Sequence, residues 1–492
     1  MHLDATPDQI NAAANSAAAA FSHFRTTSGA ERAKLLESIA LEIEGLGEGL
    51  LQTAHAETAL PMARLTGERT RMLNQIRIFA TMAKEGSWVS ARIDKGDPER
   101  KPLPKPDVRA MLVPVGPVVV FGASNFPLAI SVAGTDTICA MAAGCPVIVK
   151  AHPGHPETSA MVAEAISNAV RSCSLPAGTF CMLYGASHEV GMALVRHPSI
   201  AAVAFTGSGK AGRALFDAAN ARAVPIPVFA EMGSINPVFI LPEALAARPQ
   251  ALATAFVQSL TMGVGQFCTN PGLVVLCEGP GIEEFTKELN AAVSAVAPAP
   301  MLNVGIHGAF ESGVGNLERT QGVQRLAKSG AAANVGAAQA SCAVFETSAK
   351  VFSNTPNLSH EVFGPASLLV RCESSVEMLR LAANLQGQLT ASVHAHGSDL
   401  SKFGNLLQTL EQKVGRIVFD GFATGIEVCA AMNHGGPYPA STNAQFTSIG
   451  HASIYRFVRP VAYQNTPEAA LPLELRDGNP LGIRRLVNEA LI

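Results

Sequence analysis

Short apolar segments alternate with helix-length spacers over most of this 492-residue chain, and this pattern constrains the fold more than any other feature. Gly or Pro bounds the segments, which are VRAMLVPVGPVVVFG, CPVIVK, TFCMLYG, AAVAFTG, PVFAEMG and PVFIL, then GLVVLCEG, ASLLVRC, TASVHA and RIVFDG. Runs of about four to eight β-branched and apolar residues between helical spacers are typical of buried parallel strands. We therefore predict an α/β protein with two α/β units in tandem.

The regions outside these segments have different patterns. Residues 1 to about 85 carry a helical pattern, with Thr6 and Ser28 as helix N-caps. The segment from residue 86 to 105 is rich in charge and proline and contains the single tryptophan, Trp88. It is either a linker or an extended hairpin, and the tail after Tyr455 is similarly irregular.

Composition and charge exclude several classes of function. Lys and Arg number 36 against 39 Asp and Glu, so a net charge of −3 gives no basic surface for nucleic acid or anionic lipid. Nine cysteines without a CxxC pair argue against a zinc site and a disulfide framework. No apolar run reaches the roughly 18–20 residues of a membrane span. We expect a cytoplasmic protein with a small-molecule ligand, no metal, and neither nucleic-acid nor membrane partners.

One cysteine lies in an unusual context. Cys268 stands in GVGQFCTNPG, among turn-forming residues with exposed backbone amides. A free cysteine usually behaves as a small buried hydrophobe, and we expect that role for the other eight. Cys268 is therefore a candidate nucleophile.

Two polar residues and a glycine motif also follow strand-like runs. FTGSGKAG contains GxGxxG at Gly207, Gly209 and Gly212, which suits a phosphate at a helix N-terminus. In that motif an acidic residue about 20 positions later would hold a ribose, and Glu231 stands there. We favour a second interpretation, in which Glu231 is a buried strand-end carboxylate acting as general base. Asn125, in FGASNFPLAI, is either a turn-former or a polar site residue.

Six motifs occur together in a fixed order: ASNFP, VIVKAHP, FTGSGKAG, EMGSINP, GQFCTNPG and HEVFGP. Together they span some 240 residues, and in this order they resemble the aldehyde dehydrogenase superfamily. The resemblance implies a Rossmann-type cofactor domain (1–85 and 106–232), an α/β catalytic domain (233–430) and a small β oligomerisation arm with tail (86–105 and 455–492). In the family that arm pairs with another subunit, so a homodimer or homotetramer is expected.

The resemblance also implies roles for individual residues. Cys268 is the nucleophile, Glu231 the general base and Asn125 an oxyanion donor. Cofactor contacts are implied for Lys150 and Glu361 at the riboses, Phe363 near the nicotinamide, and Gly207, Ser208 and Gly212 at the pyrophosphate. The thiolate would form a thiohemiacetal, pass hydride to the cofactor, and leave a thioester that Glu231 hydrolyses by activating water.

The lysine motif departs from the family pattern. Pro153 replaces a glutamate that often binds the adenine ribose and repels a 2′-phosphate. NADP, or both NADP and NAD, is therefore expected. His152, His155 or His188 is a candidate phosphate contact, although each is equally well explained as a solvated loop residue.

The segment FDGFATGIEVCAAMNHGGPYPASTNAQFTSIG replaces the family's usual glycine-rich C-terminal segment. It resembles the branch with 2-oxoglutarate semialdehyde (2,5-dioxopentanoate) dehydrogenases and NADP-dependent fatty aldehyde dehydrogenase. The first substrate needs a partner for its distal carboxylate; Thr424, Ser441 and Thr442 are candidates, and no definite anchor is identified.

Other functions remain open. The first alternative is oxidation of a fatty or other aldehyde within the same branch. A CoA-acylating enzyme of the family generally lacks the glutamate found here as Glu231, and a structural protein without activity would not need Cys268, Glu231 and Asn125 together.

Overall fold

The computed structural model describes residues 2–491. Its α-helices, in chain order, are α1 (Pro7–Phe24), α2 (Gly29–Gly45), α3 (Gly47–Thr58), α4 (Met62–Glu85), α5 (Thr135–Ala143), α6 (Pro156–Ser172), α7 (His188–Arg196), α8 (Gly209–Asn220), α9 (Pro242–Ala247), α10 (Pro249–Thr261), α11 (Ile282–Ala295), α12 (Val304–Arg319), α13 (Ala349–Asn354), α14 (Ser375–Asn384), α15 (Asp399–Lys402) and α16 (Gly404–Glu411).

The strands, numbered in the same way, are β1 (Arg92–Asp94), β2 (Val108–Pro114), β3 (Val118–Phe121), β4 (Val147–Lys150), β5 (Phe180–Leu183), β6 (Ala202–Thr206), β7 (Val228–Glu231), β8 (Val238–Ile240), β9 (Leu273–Cys277), β10 (Ala299–Pro300), β11 (Gln324–Lys328), β12 (Gln339–Ala340), β13 (Ala343–Ser348), β14 (Ala366–Cys372), β15 (Gln388–His394), β16 (Val414–Phe419), β17 (Val458–Gln464), β18 (Leu486–Val487) and β19 (Ala490–Leu491).

The N-terminal helices begin where the sequence predicts. Thr6 caps α1 and Ser28 caps α2, each in a reciprocal pair in which the residue three positions later, Gln9 or Glu31, bonds back to the cap. Such pairs satisfy backbone donors that a helix start otherwise leaves free. Four helices therefore fill the first 85 residues, as expected.

The first parallel sheet has the order β5-β4-β3-β6-β7, and every neighbouring pair is parallel. The chain starts at the central strand β3, builds outward through β4 and β5, and then returns to β6 on the other side. This order creates a crevice at the carboxyl ends of β3 and β6, where ligands bind in open α/β sheets.

The second sheet has seven strands in the order β11-β13-β14-β9-β8-β15-β16, and β11 alone among them pairs antiparallel. The predicted segments form β8, β9, β14, β15 and β16. The sequence prediction missed β11 and β13. The parallel first sheet and the mostly parallel second sheet together confirm the α/β fold.

A third sheet, in the order β17-β2-β1-β18-β19, joins the segment after Trp88 to the C-terminal tail. Its strand β2 pairs antiparallel with β1 and β17. The boundary expected at residue 106 would instead place β2 with the cofactor domain. The difference arises because the apolar run continues through Gly116 into β3, so sequence alone gives no break. None of the helices within residues 2–491 is long and apolar enough to cross a membrane.

Candidate active site

The loop carrying Cys268 connects α10 to the amino end of β9, a central strand of the second sheet. Asn236 holds this loop, because its Nδ2 donates to the carbonyl oxygens of Cys268 at 2.8 Å and of Asn270 at 2.9 Å. Gly265 has a φ of +66°, and a Cβ there would lie 2.3 Å from the carbonyl carbon of Gly364. A glycine is therefore required three residues before the thiol.

Asn125 follows β3 and approaches the same loop from the first sheet. Its side chain is buried, and its Nδ2 donates to the carbonyl oxygen of Gln266 at 3.0 Å. The Arg64 Nη2 atom donates to the Asn125 carbonyl oxygen at 2.7 Å. Asn125 therefore lies next to the nucleophile's loop, and its role as oxyanion donor stays a prediction.

Glu231 ends β7 and is buried beside His434. Its Oε1 lies 2.9 Å from the His434 Nε2 atom, and its Oε2 accepts a hydrogen bond from the Ser448 hydroxyl at 2.6 Å. Burial opposes ionisation of Glu231, but His434 and hydrogen bonds from Ser448 and Cys268 outweigh it and hold the pKa below its usual value. The carboxylate form is thus favoured at this position.

His434 links the carboxylate to the thiol. Its Nε2 lies 3.4 Å from the Cys268 Sγ, and the side chain has no exposed surface. Within residues 2–491, Nδ1 has no hydrogen-bond partner, so Nε2 makes all of the ring's hydrogen bonds. Sγ, Nε2 and Oε1 can therefore share a proton. Sequence reasoning missed His434, although NHGGP in the unusual C-terminal segment contains it.

The thiol of Cys268 is poorly suited to ionise without help. Burial raises its pKa well above the ordinary value, and the negative charge of Glu231 raises it further, while Arg71 acts in the opposite direction. Because the thiolate is the reactive form, a proton acceptor must lie within reach of Sγ. His434 and Glu231 provide that acceptor.

The same three residues form a group of potential metal ligands. One donor atom from each of Glu231, Cys268 and His434 lies within 4.8 Å of the other two. Sulfur, imidazole and carboxylate are ligands that zinc accepts. The expectation of no metal stays a prediction.

The glycine motif lies between β6 and α8, at the carboxyl edge of the first sheet. The Ser208 hydroxyl accepts a hydrogen bond from the Ala211 N–H and caps α8. A Cβ at Gly207 would lie 2.7 Å from the Phe205 ring, and one at Gly212 would lie 2.8 Å from Met232. Both glycines are therefore needed for packing, independently of any ligand.

Lys150 ends β4 at the same edge, and it makes no side-chain hydrogen bond within residues 2–491. Burial lowers its pKa, and the nearby Asp4 opposes that shift. The Asp4 carboxylate accepts hydrogen bonds from the backbone N–H groups of Ala186 and Ser187, in the turn after β5. The Lys150 ammonium is thus left without a close partner beside the crevice.

Glu361 and Phe363 line a cavity beside the nucleophile's loop, together with Ser234, Gly265 and Asn270. Burial raises the pKa of Glu361 to about 8. A Cβ at Gly233 would lie 2.7 Å from the Glu361 Oε2, so this carboxyl fits closely against the turn after Glu231. The structure thus brings Glu361 and Phe363 to the catalytic cluster from far along the chain.

Two of the three histidines considered for a 2′-phosphate make hydrogen-bond contacts within the protein. His155 is fully buried, with its ring nitrogens 3.1 Å from the Ser159 hydroxyl and 3.3 Å from the Ala123 carbonyl oxygen. His152 accepts from the Gly154 N–H at 3.0 Å, and burial lowers its pKa to about 3. His155 is therefore not a solvated loop residue, and His188 is the exposed one of the three.

The hydroxyls considered for a substrate carboxylate also have partners. Thr424 Oγ1 lies 2.7 Å from the Ser259 hydroxyl, and Ser441 donates to the Gly436 carbonyl oxygen at 2.5 Å. Thr442 donates to the Val228 carbonyl oxygen and accepts from the Ala230 N–H at 2.9 Å. These bonds hold the C-terminal segment against other parts of the chain, including β7.

A family model described as "Aldehyde dehydrogenase family" matches residues 2–443. The chain belongs to the aldehyde dehydrogenase family. It is 51% identical over 467 residues to "Alpha-ketoglutaric semialdehyde dehydrogenase 2" of Azospirillum brasilense, covering 95% of this chain and 89% of that protein. It is 46% identical over 488 residues to "Alpha-ketoglutaric semialdehyde dehydrogenase" of Acinetobacter baylyi, covering 99% and 92%.

Solved structures of aldehyde dehydrogenases share the fold. Betaine aldehyde dehydrogenase of Staphylococcus aureus in complex with NAD+ superposes with a TM-score of 0.79 at 19% identity, covering 94% of this chain and 90% of that one. A 1-pyrroline-5-carboxylate dehydrogenase gives 0.78 at 22% identity, covering 94% and 86%. These structures show the shared fold, while the family match and the two relatives above show that the chain is an aldehyde dehydrogenase family enzyme.

Aldehyde dehydrogenases use NAD or NADP, and this chain's residues fit a dinucleotide. The unpaired Lys150 ammonium and the start of α8 border the crevice of the first sheet, and positive charge with free helix amides suits phosphate and ribose oxygens. Glu361 and Phe363 line the cavity beside the loop that carries Cys268. The individual cofactor contacts stay predictions.

Proposed function

We propose that this enzyme oxidises 2,5-dioxopentanoate to 2-oxoglutarate with NAD or NADP, through a thiohemiacetal and a thioester on Cys268. One observation carries the chemistry: Sγ of the partly exposed Cys268 lies in one cluster with Nε2 of His434 and Oε1 of Glu231, both buried, beside the cavity of Glu361. The substrate is inferred from the two relatives named as alpha-ketoglutaric semialdehyde dehydrogenases.

The first step is attack on the aldehyde carbon. The Cys268 proton passes to the His434–Glu231 pair while the sulfur bonds to the carbonyl carbon. In this mechanism the Asn125 Nδ2, which here donates to the Gln266 carbonyl oxygen, and the Cys268 backbone N–H donate to the oxygen that becomes negative. A bound NAD or NADP supplies the acceptor for the hydride that leaves this carbon.

The second step is hydrolysis of the thioester. After the proton taken from Cys268 has been released to solvent, the Glu231–His434 pair accepts a proton from a water molecule, and the resulting hydroxide attacks the thioester carbon. The sulfur leaves as a thiolate and regains a proton. The presence of Glu231 favours hydrolysis over transfer to CoA, since this step needs a base at that position.

We infer a preference for NADP, with NAD also accepted. Pro153 stands at the position where the family often has a glutamate, so no carboxylate at that position repels a 2′-phosphate. The exposed His188 is the histidine with a ring free to approach such a phosphate. Measuring kcat/KM for NADP and NAD in parallel tests this inference, and a clear preference for NAD would contradict it.

We further infer a homodimer or homotetramer in the cytoplasm. The β-arm carries exposed apolar side chains at Leu486 and Leu491, and its sheet ends in the short strand β19. An edge strand with apolar side chains can pair with another subunit. Light scattering after size exclusion tests the assembly, and a monomer at all concentrations would contradict it.

The decisive test of the substrate is a comparison of kcat/KM for 2,5-dioxopentanoate, succinic semialdehyde and a long-chain aldehyde, each with NAD and NADP. We expect 2,5-dioxopentanoate to give the highest value. A higher value for the long-chain aldehyde would instead support a fatty aldehyde dehydrogenase.

A further inference from the structure

One face of α4 is attached to the active site. Arg64, Glu68 and Arg71 follow at spacings of four and three, which places them on the same side of the helix. Arg64 bonds to the Asn125 carbonyl oxygen, and the Glu68 Oε1 accepts from the Leu128 N–H at 2.8 Å and the Ala129 N–H at 2.9 Å. This face of α4 is therefore fixed against the loop that carries Asn125.

An aromatic pair connects this face to the nucleophile. Phe126 packs edge-to-face on Phe267, the residue before Cys268, with ring centroids 5.5 Å apart. The Arg64 guanidinium lies 4.8 Å from both rings, and that of Arg71 lies 5.5 Å from the Phe126 ring. Arg71 is thus beside the aromatic pair that borders the catalytic loop.

Arg71 lacks the hydrogen bonds that its neighbours make. Its Nε and Nη2 atoms are inaccessible to solvent and have no partner in residues 2–491. Arg64 already binds a backbone carbonyl oxygen through Nη2. Arg416, another arginine whose charge acts on Cys268, donates to the Ala423 and Gly425 carbonyl oxygens at 2.6 and 3.2 Å. A buried cationic group without partners is costly, which favours binding of an anion at Arg71.

The charges of Arg71 and of the catalytic groups act on one another. Burial lowers the pKa of Arg71, and Cys268, Glu68, Glu231 and Glu427 oppose that shift. Arginine nevertheless stays charged at any physiological pH. Burial also raises the pKa of Glu68, which weakens it as a competing partner for the guanidinium.

We propose that Arg71 binds the distal carboxylate of the aldehyde substrate and so selects ω-oxo acids over neutral aldehydes. A guanidinium can donate two parallel hydrogen bonds to a carboxylate, which gives both energy and orientation. Arg71 then anchors one end of the chain while Cys268 attacks the other. This inference rests on the proposed function and names the residue that determines substrate class at the same site.

The test compares Arg71→Met with the wild type on three aldehydes of equal chain length: 2,5-dioxopentanoate, 5-oxopentanoate and pentanal. We expect kcat/KM to fall about 100-fold for the two carboxylates, as is typical when a buried charge pair loses one partner. For pentanal we expect a much smaller loss, because that substrate has no charge to bind and loses only the effect of Arg71 on the pKa of Cys268. Retained turnover of pentanal also shows that the variant is folded.

Arg77→Met is the matched control, since Arg77 lies on the same helix in an exposed ion pair with Glu44 at 2.8 Å. It should leave all three values unchanged. If Arg71→Met is insoluble, Arg71→Gln replaces it with the same expectations. An equal loss on all three aldehydes, or no loss on any, would overturn the anchor.

The wild-type enzyme separates this inference from the proposed function. If it prefers both carboxylates to pentanal and Arg71→Met keeps that preference, Arg71 is not the anchor and the proposed substrate stands. If the wild type shows no preference for carboxylates, the proposed substrate itself is wrong, and the anchor fails with it.

Discussion

Replacing His434 with Gln tests the link between the thiol and the carboxylate. Glutamine can form hydrogen bonds at this position but cannot accept a proton. General-base groups typically contribute about 10²–10⁴ to the rate. Because Glu231 stays close to Sγ and can still accept a proton, we take the lower half of that range. The expected loss in kcat/KM is about 10²–10³-fold, or about 3–4 kcal/mol.

The pH dependence makes this prediction specific. The pKa of Cys268 is raised by burial and by Glu231, so without the imidazole the reactive thiolate forms only by proton transfer to Glu231 or by direct ionisation. The thiolate fraction formed by direct ionisation rises steeply with pH while the pH is below the pKa, and we therefore expect the variant's loss to shrink as pH increases from 6 to 9. Steady-state kcat/KM and alkylation of Cys268 by iodoacetamide, both followed across this range, measure the effect.

His23→Gln is the control, because His23 is exposed on α1 and remote in sequence from the cluster. It should match the wild type at every pH. Wild-type kcat/KM and alkylation rates for His434→Gln across the whole range would refute the role of His434 as proton acceptor.

Three further predictions concern other parts of the site. Asn125→Ala should lower kcat by about 10²–10³-fold, as expected for a lost oxyanion donor, and a normal kcat in a stopped-flow assay would show that Asn125 only shapes the turn. Gly265→Ala should lower the free energy of unfolding by about 2–3 kcal/mol, because the new Cβ would meet the Gly364 backbone at 2.3 Å at a positive φ; an unchanged denaturant midpoint would show that the loop can move. EDTA should leave activity unchanged, and loss of activity in EDTA would mean that a metal is required. Added Zn²⁺ should inhibit reversibly and slow alkylation of Cys268, because donor atoms of Glu231, Cys268 and His434 lie within 4.8 Å of one another.

Most strands were predictable because the parallel sheets are buried on both faces. Every residue of β3, β9 and β15 is buried, which gives the continuous apolar runs that the sequence shows. β13 was missed because its run includes Glu346, whose carboxylate binds Arg371 on the neighbouring strand at 2.9 Å. This charged side chain interrupts the apolar run by which a buried strand is recognised.

The sheet that contains β2 was not evident from the sequence, for a different reason. Its burial alternates along the strand, as in a sheet with one covered face, but its apolar residues merge with those of β3. Partners of β2 come from the C-terminal tail, as in the pairing of Val113 with Arg459. Only the folded chain shows that β2 and β3, although consecutive in sequence, belong to different sheets.

Motif order gave Cys268 and Glu231 as candidate catalytic residues, but it gave no signal for His434 or Arg71. His434 lies 166 residues from Cys268 in sequence, so no spacing rule connects them. Arg71 precedes the first motif in the sequence. It became a candidate only because its Nε and Nη2 atoms have no hydrogen-bond partner in residues 2–491. Such relations depend on the three-dimensional packing of distant segments.

The central claim is that substrate becomes covalently bound to Cys268 and is released with the help of Glu231. Mass spectrometry of Glu231→Gln, quenched during turnover of 2,5-dioxopentanoate with NADP, tests it directly. We predict one 2-oxoglutaryl group per chain, on the peptide that contains Cys268, formed together with one equivalent of NADPH. One equivalent of NADPH with an unmodified Cys268 peptide, or sustained wild-type turnover by this variant, would contradict the account.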